Sequence, residues 1–218
     1  MLRDRFIRVL FTGLLVLPMT LHGQNSVRKP TASVVGEVYT IFDYRLHGTL
    51  MGSFIQIKRD YEVILYADGD TLRTKTDESG RFYFSGVSAG QATLYIEPLN
   101  KKEEHPFSGV FELMPGENIV IVPWQSPVQP AGYSLQLTDQ PIMTAEGDTW
   151  TYHYPSIMAS GHVGNAPRDE DYLISKLMGT PGVEYNKRKK LLRISGDAIR
   201  RTYVNGAYIF ALKPDAPE

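Results

Sequence analysis

Gly86-Val87-Ser88-Ala89-Gly90 sets a serine between glycines in the frame of a hydrolase nucleophile elbow. That elbow needs a strand before it, a helix behind it, and an acid and a histidine supplied later in the chain. Here the next segment, Ala92-Thr93-Leu94-Tyr95-Ile96, alternates with the period of a strand. Ser88 therefore reads as part of a turn between strands and not as a nucleophile. The histidines are His22, His47, His105, His153 and His162. None stands in a His-x-x-Glu or His-Glu-x-x-His frame, so no zinc-protease ligand set is formed. Asp68, Asp70, Asp77 and Glu78 are clustered oxygen donors of the kind calcium takes. They lack the longer ligand series and closing glutamate of an EF-hand loop, and Asp68-Gly69-Asp70 and Asp77-Glu78-Ser79-Gly80 read better as turns. Lys187-Arg188-Lys189-Lys190, with Arg193, Arg200 and Arg201, forms a basic cluster suited to phosphates or an acidic partner, although such a run is more often a solvated hairpin tip. Trp150, Tyr152, Tyr154, Tyr203 and Tyr208 have the bulk and polar handles of a binding surface, with core packing the commoner use. The sequence thus assigns no catalytic residue, no cofactor-binding residue and no metal ligand, and the expected chain is not an enzyme.

The elements that would position these residues begin after an unusual N-terminus. Arg3, Arg5 and Arg8 precede the apolar run from Val9 to Leu17, Pro18 ends it, and small Gly23 stands before polar Gln24-Asn25-Ser26. This is the tripartite form of a cleavable signal peptide over residues 1–23, and the apolar run is short for a bilayer span. The chain contains no cysteine, so no lipid-anchoring cysteine and no disulfide is available. Its cores must carry the stability, and a hydrophobic content of 42% is enough to build them. The formal net charge of −1 supplies no long-range attraction for nucleic acid.

Residues 24–31 read as a linker. From Ala32 to Val122, short alternating or apolar segments are separated by glycine- and aspartate-containing turns about every ten residues, the pattern of a β-sandwich. Pro123, Pro127 and Pro130 make residues 123–132 a stiff connector. Residues 133–218 read as a second, α+β region. Strands are expected at Tyr133–Leu137 and Thr149–Tyr152, and a helix over Asp169–Met178, capped by Asn165 or Asp169 with Pro167 at its start. Hairpins follow around Lys187–Lys190 and at the Asn205-Gly206 turn.

Two stretches carry a family resemblance. Thr76-Asp77-Glu78-Ser79-Gly80-Arg81-Phe82-Tyr83-Phe84, followed by Gly86-Val87-Ser88-Ala89-Gly90 and the strand to Ile96, resembles the carboxypeptidase regulatory-like domain. That resemblance implies a transthyretin-like β-sandwich over residues 32–122. Gly147-Asp148-Thr149-Trp150-Thr151-Tyr152, the segment from Glu170 to Glu184 with its Thr180-Pro181-Gly182-Val183 turn, and Tyr203-Val204-Asn205-Gly206 are similar to the plug of TonB-dependent outer-membrane receptors. The order of the two resembles the N-terminal half of Bacteroidota-type receptors, including the class that takes up oligomers and glycans. Met178-Gly179-Thr180 departs from the leucine usual before the proline-glycine pair, and the β-barrel and last plug strand of the family are not in the sequence.

The resemblance implies a mostly β, non-catalytic binding or scaffold protein of the cell envelope, in the periplasm or at the outer membrane. Its partners would be outer-membrane or periplasmic proteins of a transport system, met through an exposed sheet edge. A barrel-less relic of a receptor is the alternative, and a secreted hydrolase built on Ser88 is the weaker third reading.

Overall fold

The computed structural model describes residues 30–102, 104–124, 135–137, 142–153, 172–189 and 191–212. The predicted signal peptide, most of the proline-rich connector, Tyr154, His162 and the predicted helix caps lie outside these residues. The chain is mostly β, as its alternation predicts. In order, the strands are β1 (Thr31–Leu46), β2 (Thr49–Ile57), β3 (Glu62–Ala67), β4 (Asp70–Lys75), β5 (Arg81–Ser88), β6 (Gly90–Glu97), β7 (Phe107–Leu113) and β8 (Gly116–Pro123). Then come β9 (Leu135–Leu137), β10 (Met143–Glu146), β11 (Thr149–His153), helix α1 (Tyr172–Leu177), β12 (Val183–Asn186), β13 (Leu191–Ile194), β14 (Ile199–Val204) and β15 (Ala207–Leu212).

These elements make three sheets. The largest has seven strands along the path β14-β15-β8-β1-β2, with β5 and β9 also paired to β1. The others have four strands each, ordered β4-β3-β6-β7 and β10-β11-β13-β12. The small sheets cover opposite faces of the large one. Along β8 the side chains alternate between two separate cores: Val120 and Val122 join Val34, Val38, Leu65, Leu94 and Phe111 on one side. Ile119 and Ile121 join Tyr39, Tyr152, Leu173, Leu177 and Phe210 on the other. This explains the unbroken apolar run Ile119-Val120-Ile121-Val122, since a strand covered on both faces loses the polar half of its alternation. Buried Asn118 precedes the run without an unmet polar group: its amide donates to Ser33 O and Met114 O, and its Oδ1 accepts from Met114 N.

β1 is longer than the expected opening strand and changes neighbours partway. Residues 31–37 pair with β5 and residues 39–46 with β2. Val38 is the switch point: its N–H donates to Gly80 O and its C=O accepts from Lys58 N. On the opposite edge β1 runs parallel to β8 and then meets β9 at Phe42–Tyr44.

The sheets do not respect the division at residues 123–132. The C-terminal hairpin β14–β15, which the sequence groups with the second region, pairs with β8 through Tyr208↔Ile121 and Phe210↔Ile119. The physical reason lies in β8 itself: with both faces apolar, its free backbone edge would otherwise stand in a dry environment, and β15 satisfies it. The second core then joins sheet to sheet, with Tyr39 and Tyr152 hydroxyls 3.3 Å apart within it and the Lys176–Glu117 pair tying α1 to the start of β8. The hairpin also lies along β7, where Arg200 pairs with Glu112 and the Asn205 amide donates to Ser108 O.

Around β1, glycine is required at two places. A Cβ on Gly80, which has φ of +74°, would stand 2.6 Å from Val38 O at the switch point. A Cβ on Gly36 would stand 2.1 Å from the Phe82 ring, which packs directly over the Gly36 backbone in the pair Gly36↔Phe82. Gly36→Ala should therefore lower stability by about 1–3 kcal/mol, the usual magnitude of overpacking. The check is the urea midpoint, and an unchanged midpoint would contradict the close approach.

Candidate functional site

A cleft of about 740 Å³ opens at the seam between the large sheet and β11. Its size falls within the roughly 300–1,000 Å³ of ordinary ligand sites. Ile199, Ala211 and Leu212 contribute apolar surface from the β14–β15 hairpin, and Trp150 from β11 lines the opposite side. Trp150 meets Tyr208 edge-on at 6.2 Å and Phe210 at 6.1 Å. Tyr208 in turn faces its cross-strand partner Tyr203 at 4.9 Å. Aromatic surface thus runs from exposed Tyr203 to the half-buried indole in the cleft. Burial, and secondarily Tyr203, push the Tyr208 phenol above its ordinary range.

The charged groups of the cleft are mutually arranged. Arg201 donates from one terminal nitrogen to Ile194 O at 2.8 Å and from the other to Gly196 O at 2.7 Å. Its guanidinium fork thereby pins the β13–β14 loop. Arg200 pairs with Glu112 at 2.7 Å and approaches the Met114 sulfur at 2.9 Å. Asp148 and Asp197, each following a positive-φ glycine, bring carboxylates to the rim on exposed turns. Among the described residues the lining contains no serine, histidine or lysine. Two carboxylates raise the thought of acid–base chemistry, but a general acid at neutral pH needs a desolvated carboxyl, and both of these face solvent. The arrangement suits recognition: an aromatic surface, oriented acceptors and guanidiniums held in place.

Of the residues singled out from sequence, Trp150, Arg200 and Arg201 line this cleft, and Tyr203 and Tyr208 adjoin it through ring contacts. Tyr152 instead lies in the second core. Asp148 and Asp197 were not legible as site residues, since Gly-Asp in each case signals only a turn. Arg200 and Arg201 do not extend the basic run: Lys187, Arg188 and Lys189 form the exposed tip of the β12–β13 hairpin, away from those bound guanidiniums. Ser88 is not in a turn but in β5, opposite Thr31, and the bend falls at Ala89. Among the described residues Ser88 has no hydrogen bond to a histidine or carboxylate. Asp68 and Gly69 both have positive φ and make the β3–β4 hairpin turn, as His47-Gly48 does between β1 and β2. Asp77 Oδ1 accepts from Ser79 and Arg81 N–H, closing the turn before β5. Among the described residues no three metal-ligating side chains converge.

A second cluster of titratable groups had no signal in the sequence. Lys58, Tyr61 and Glu104 come from the β2–β3 and β6–β7 connections and are buried together. Lys58 Nζ lies 2.7 Å from Glu104 Oε1, and the Tyr61 hydroxyl donates to Glu104 Oε2. Thr76 Oγ1 accepts from Tyr61 N–H and donates to Lys58 O. Trp124, the first residue after β8, meets the Tyr61 ring edge-on at 5.5 Å. Burial lowers the Lys58 ammonium below its ordinary range, with Glu104 opposing that shift. Burial raises the Tyr61 phenol, and Glu104 adds to it. The groups form a dry clamp that ties two connections to the end of β8.

This clamp yields two predictions. Lys58→Met should cost about 3–5 kcal/mol, because Glu104 is left as a buried uncompensated charge. Lys58→Met/Tyr61→Phe/Glu104→Leu, which removes every member, should recover most of that loss in urea unfolding. For pH, a raised Tyr61 pKa contributes stability that is complete below the ordinary value of 10.0 and is lost as pH rises past it. The lowered Lys58 value acts oppositely, adding stability as pH rises towards 10.5 and nothing further beyond. Above pH 10.5 only the tyrosine contribution of this clamp still changes, so unfolding free energy should fall less steeply with pH there in Tyr61→Phe than in the native chain. Equal slopes would remove Tyr61 from the account.

No protein-family model matches the chain, and no curated protein matches it. Among solved structures it is similar to a Bacteroides uniformis chain described as a "putative carbohydrate binding protein", at 17% identity and a TM-score of 0.29, over 56% of this chain and 50% of that one. A likeness that low carries no argument about ligand or activity.

Proposed function

We propose that this protein is a non-catalytic, exported binding module of the cell envelope that serves TonB-dependent outer-membrane transport. The cleft beside Trp150 carries the binding half of this reading. It combines a ligand-sized volume, aromatic surface and fixed charged groups, with no serine, histidine or lysine among the described lining residues. The transport half rests on the resemblance of residues 32–122 to a regulatory-like sandwich and of the later segments to a receptor plug, in receptor order. Export rests on the basic and then apolar N-terminus. No helix among the described residues is long and apolar enough to cross a membrane.

The reading is tested by immobilising the exported chain and challenging it with detergent extracts of its own cell envelope. Recovery of a TonB-dependent receptor or a periplasmic component of the same transport system is the expected result. Trp150→Ala should reduce that recovery while leaving the circular dichroism spectrum unchanged. Capture of background proteins alone, by both forms equally, would defeat the proposal.

A further inference from the structure

We propose that the outer edge of β2 is a self-association surface, on which a second copy of this chain lays its own β2 antiparallel across a two-fold axis. No described strand lies beyond β2 in the large sheet. Its backbone phase follows from one bond: Lys58 N–H donates to Val38 O, so the Lys58 N–H faces β1. By antiparallel alternation Gln56 and Phe54 also bond inward, and the N–H and C=O groups of Ser53, Ile55 and Ile57 point away from β1.

The composition of this edge sets it apart. Thr49–Ile57 contains no charged residue and no proline. The other edge strands of four or more residues each carry charge: β4 has Arg73 and Lys75, β5 Arg81, β7 Glu112, β10 Glu146, β12 Glu184, and β14 Arg200 and Arg201. Edge charges are how sheets resist pairing with other chains, and β2 alone among these lacks them.

The same strand is suited to meeting itself. An axis at Ile55 sets Ser53 opposite Ile57 of the other copy, so all three outward residues find hydrogen-bonding counterparts. That register stays clear of the bulge at Met51, where Tyr44 pairs with Gly52 but Arg45 with Leu50. No like charges oppose one another within it, and the apolar row that holds Ile55 and Ile57 continues from copy to copy. The association is isologous and closed, so it ends at a dimer.

Light scattering coupled to size exclusion, over a wide range of micromolar concentrations, should show the exported chain passing from monomer to dimer. Ser53→Pro removes an outward N–H and leaves the β1–β2 ladder intact, as proline is tolerated on the free side of an edge strand. It should weaken the dimer about tenfold or more. The native chain has no cysteine, so Ser53→Cys/Ile57→Cys gives an unambiguous readout. The two positions face each other between copies at disulfide distance and are too far apart within one copy, so oxidation should yield a covalent dimer. A monomer at every concentration would overturn the proposal. So would a dimer that Ser53→Pro leaves unchanged and that the cysteine pair does not cross-link. Neither result bears on the cleft or on the envelope partner.

Discussion

The architecture depends on one constraint: the Ile119–Val122 run of β8 is apolar on both faces and must be covered twice. Once Ile119 and Ile121 point one way and Val120 and Val122 the other, a single opposing sheet cannot complete the fold. The β4-β3-β6-β7 sheet closes one core. The second core has to be recruited from later sequence, and the β10-β11-β13-β12 sheet with α1 supplies it. The cleft is a by-product of that recruitment. It forms where the second cover meets the edge of the first sheet, and its floor is the hairpin that satisfies β8.

Much of the strand content was legible because burial on one face leaves a period of two in the sequence. Phe82 and Phe84 in β5, and Ala92, Leu94 and Ile96 in β6, alternate as written and point into the first core. Asn205-Gly206 and Asp68-Gly69 announced their turns because few residues tolerate positive φ. Partnership was less legible than existence. The run Ile119-Val120-Ile121-Val122 indicated burial on both faces, but nothing local stated that residues 207–212 would lie beside it. Gly86-Val87-Ser88 carried turn-like glycine and yet extends β5, because pairing with Thr31 and Ala32 outweighs the glycine signal. β10 went unread, as Met143-Thr144-Ala145-Glu146 has too little apolar alternation to declare itself.

The sites show the same limit. Trp150 and the arginines were visible as residue types, whereas the Lys58–Glu104 pair is separated by forty-six positions and depends on two connections folding onto one point. Charge patterning in sequence also misdirected: Arg200 and Arg201 look like partners of the Lys187–Lys190 run, but their guanidiniums are committed to carbonyls, to Glu112 and to Met114.

The pairing of β15 with β8 joins residues about ninety positions apart, Phe210 with Ile119 for example. A chain that emerges from its N-terminus first will therefore hold β8 with one edge bare until the β14–β15 hairpin arrives. Folding of the central sheet therefore waits on residues 199–212, and the interval favours rescue by a chaperone or mispairing with a neighbour. Shortening or delaying that hairpin would leave a half-dressed sheet whose most apolar strand is also its exposed rim.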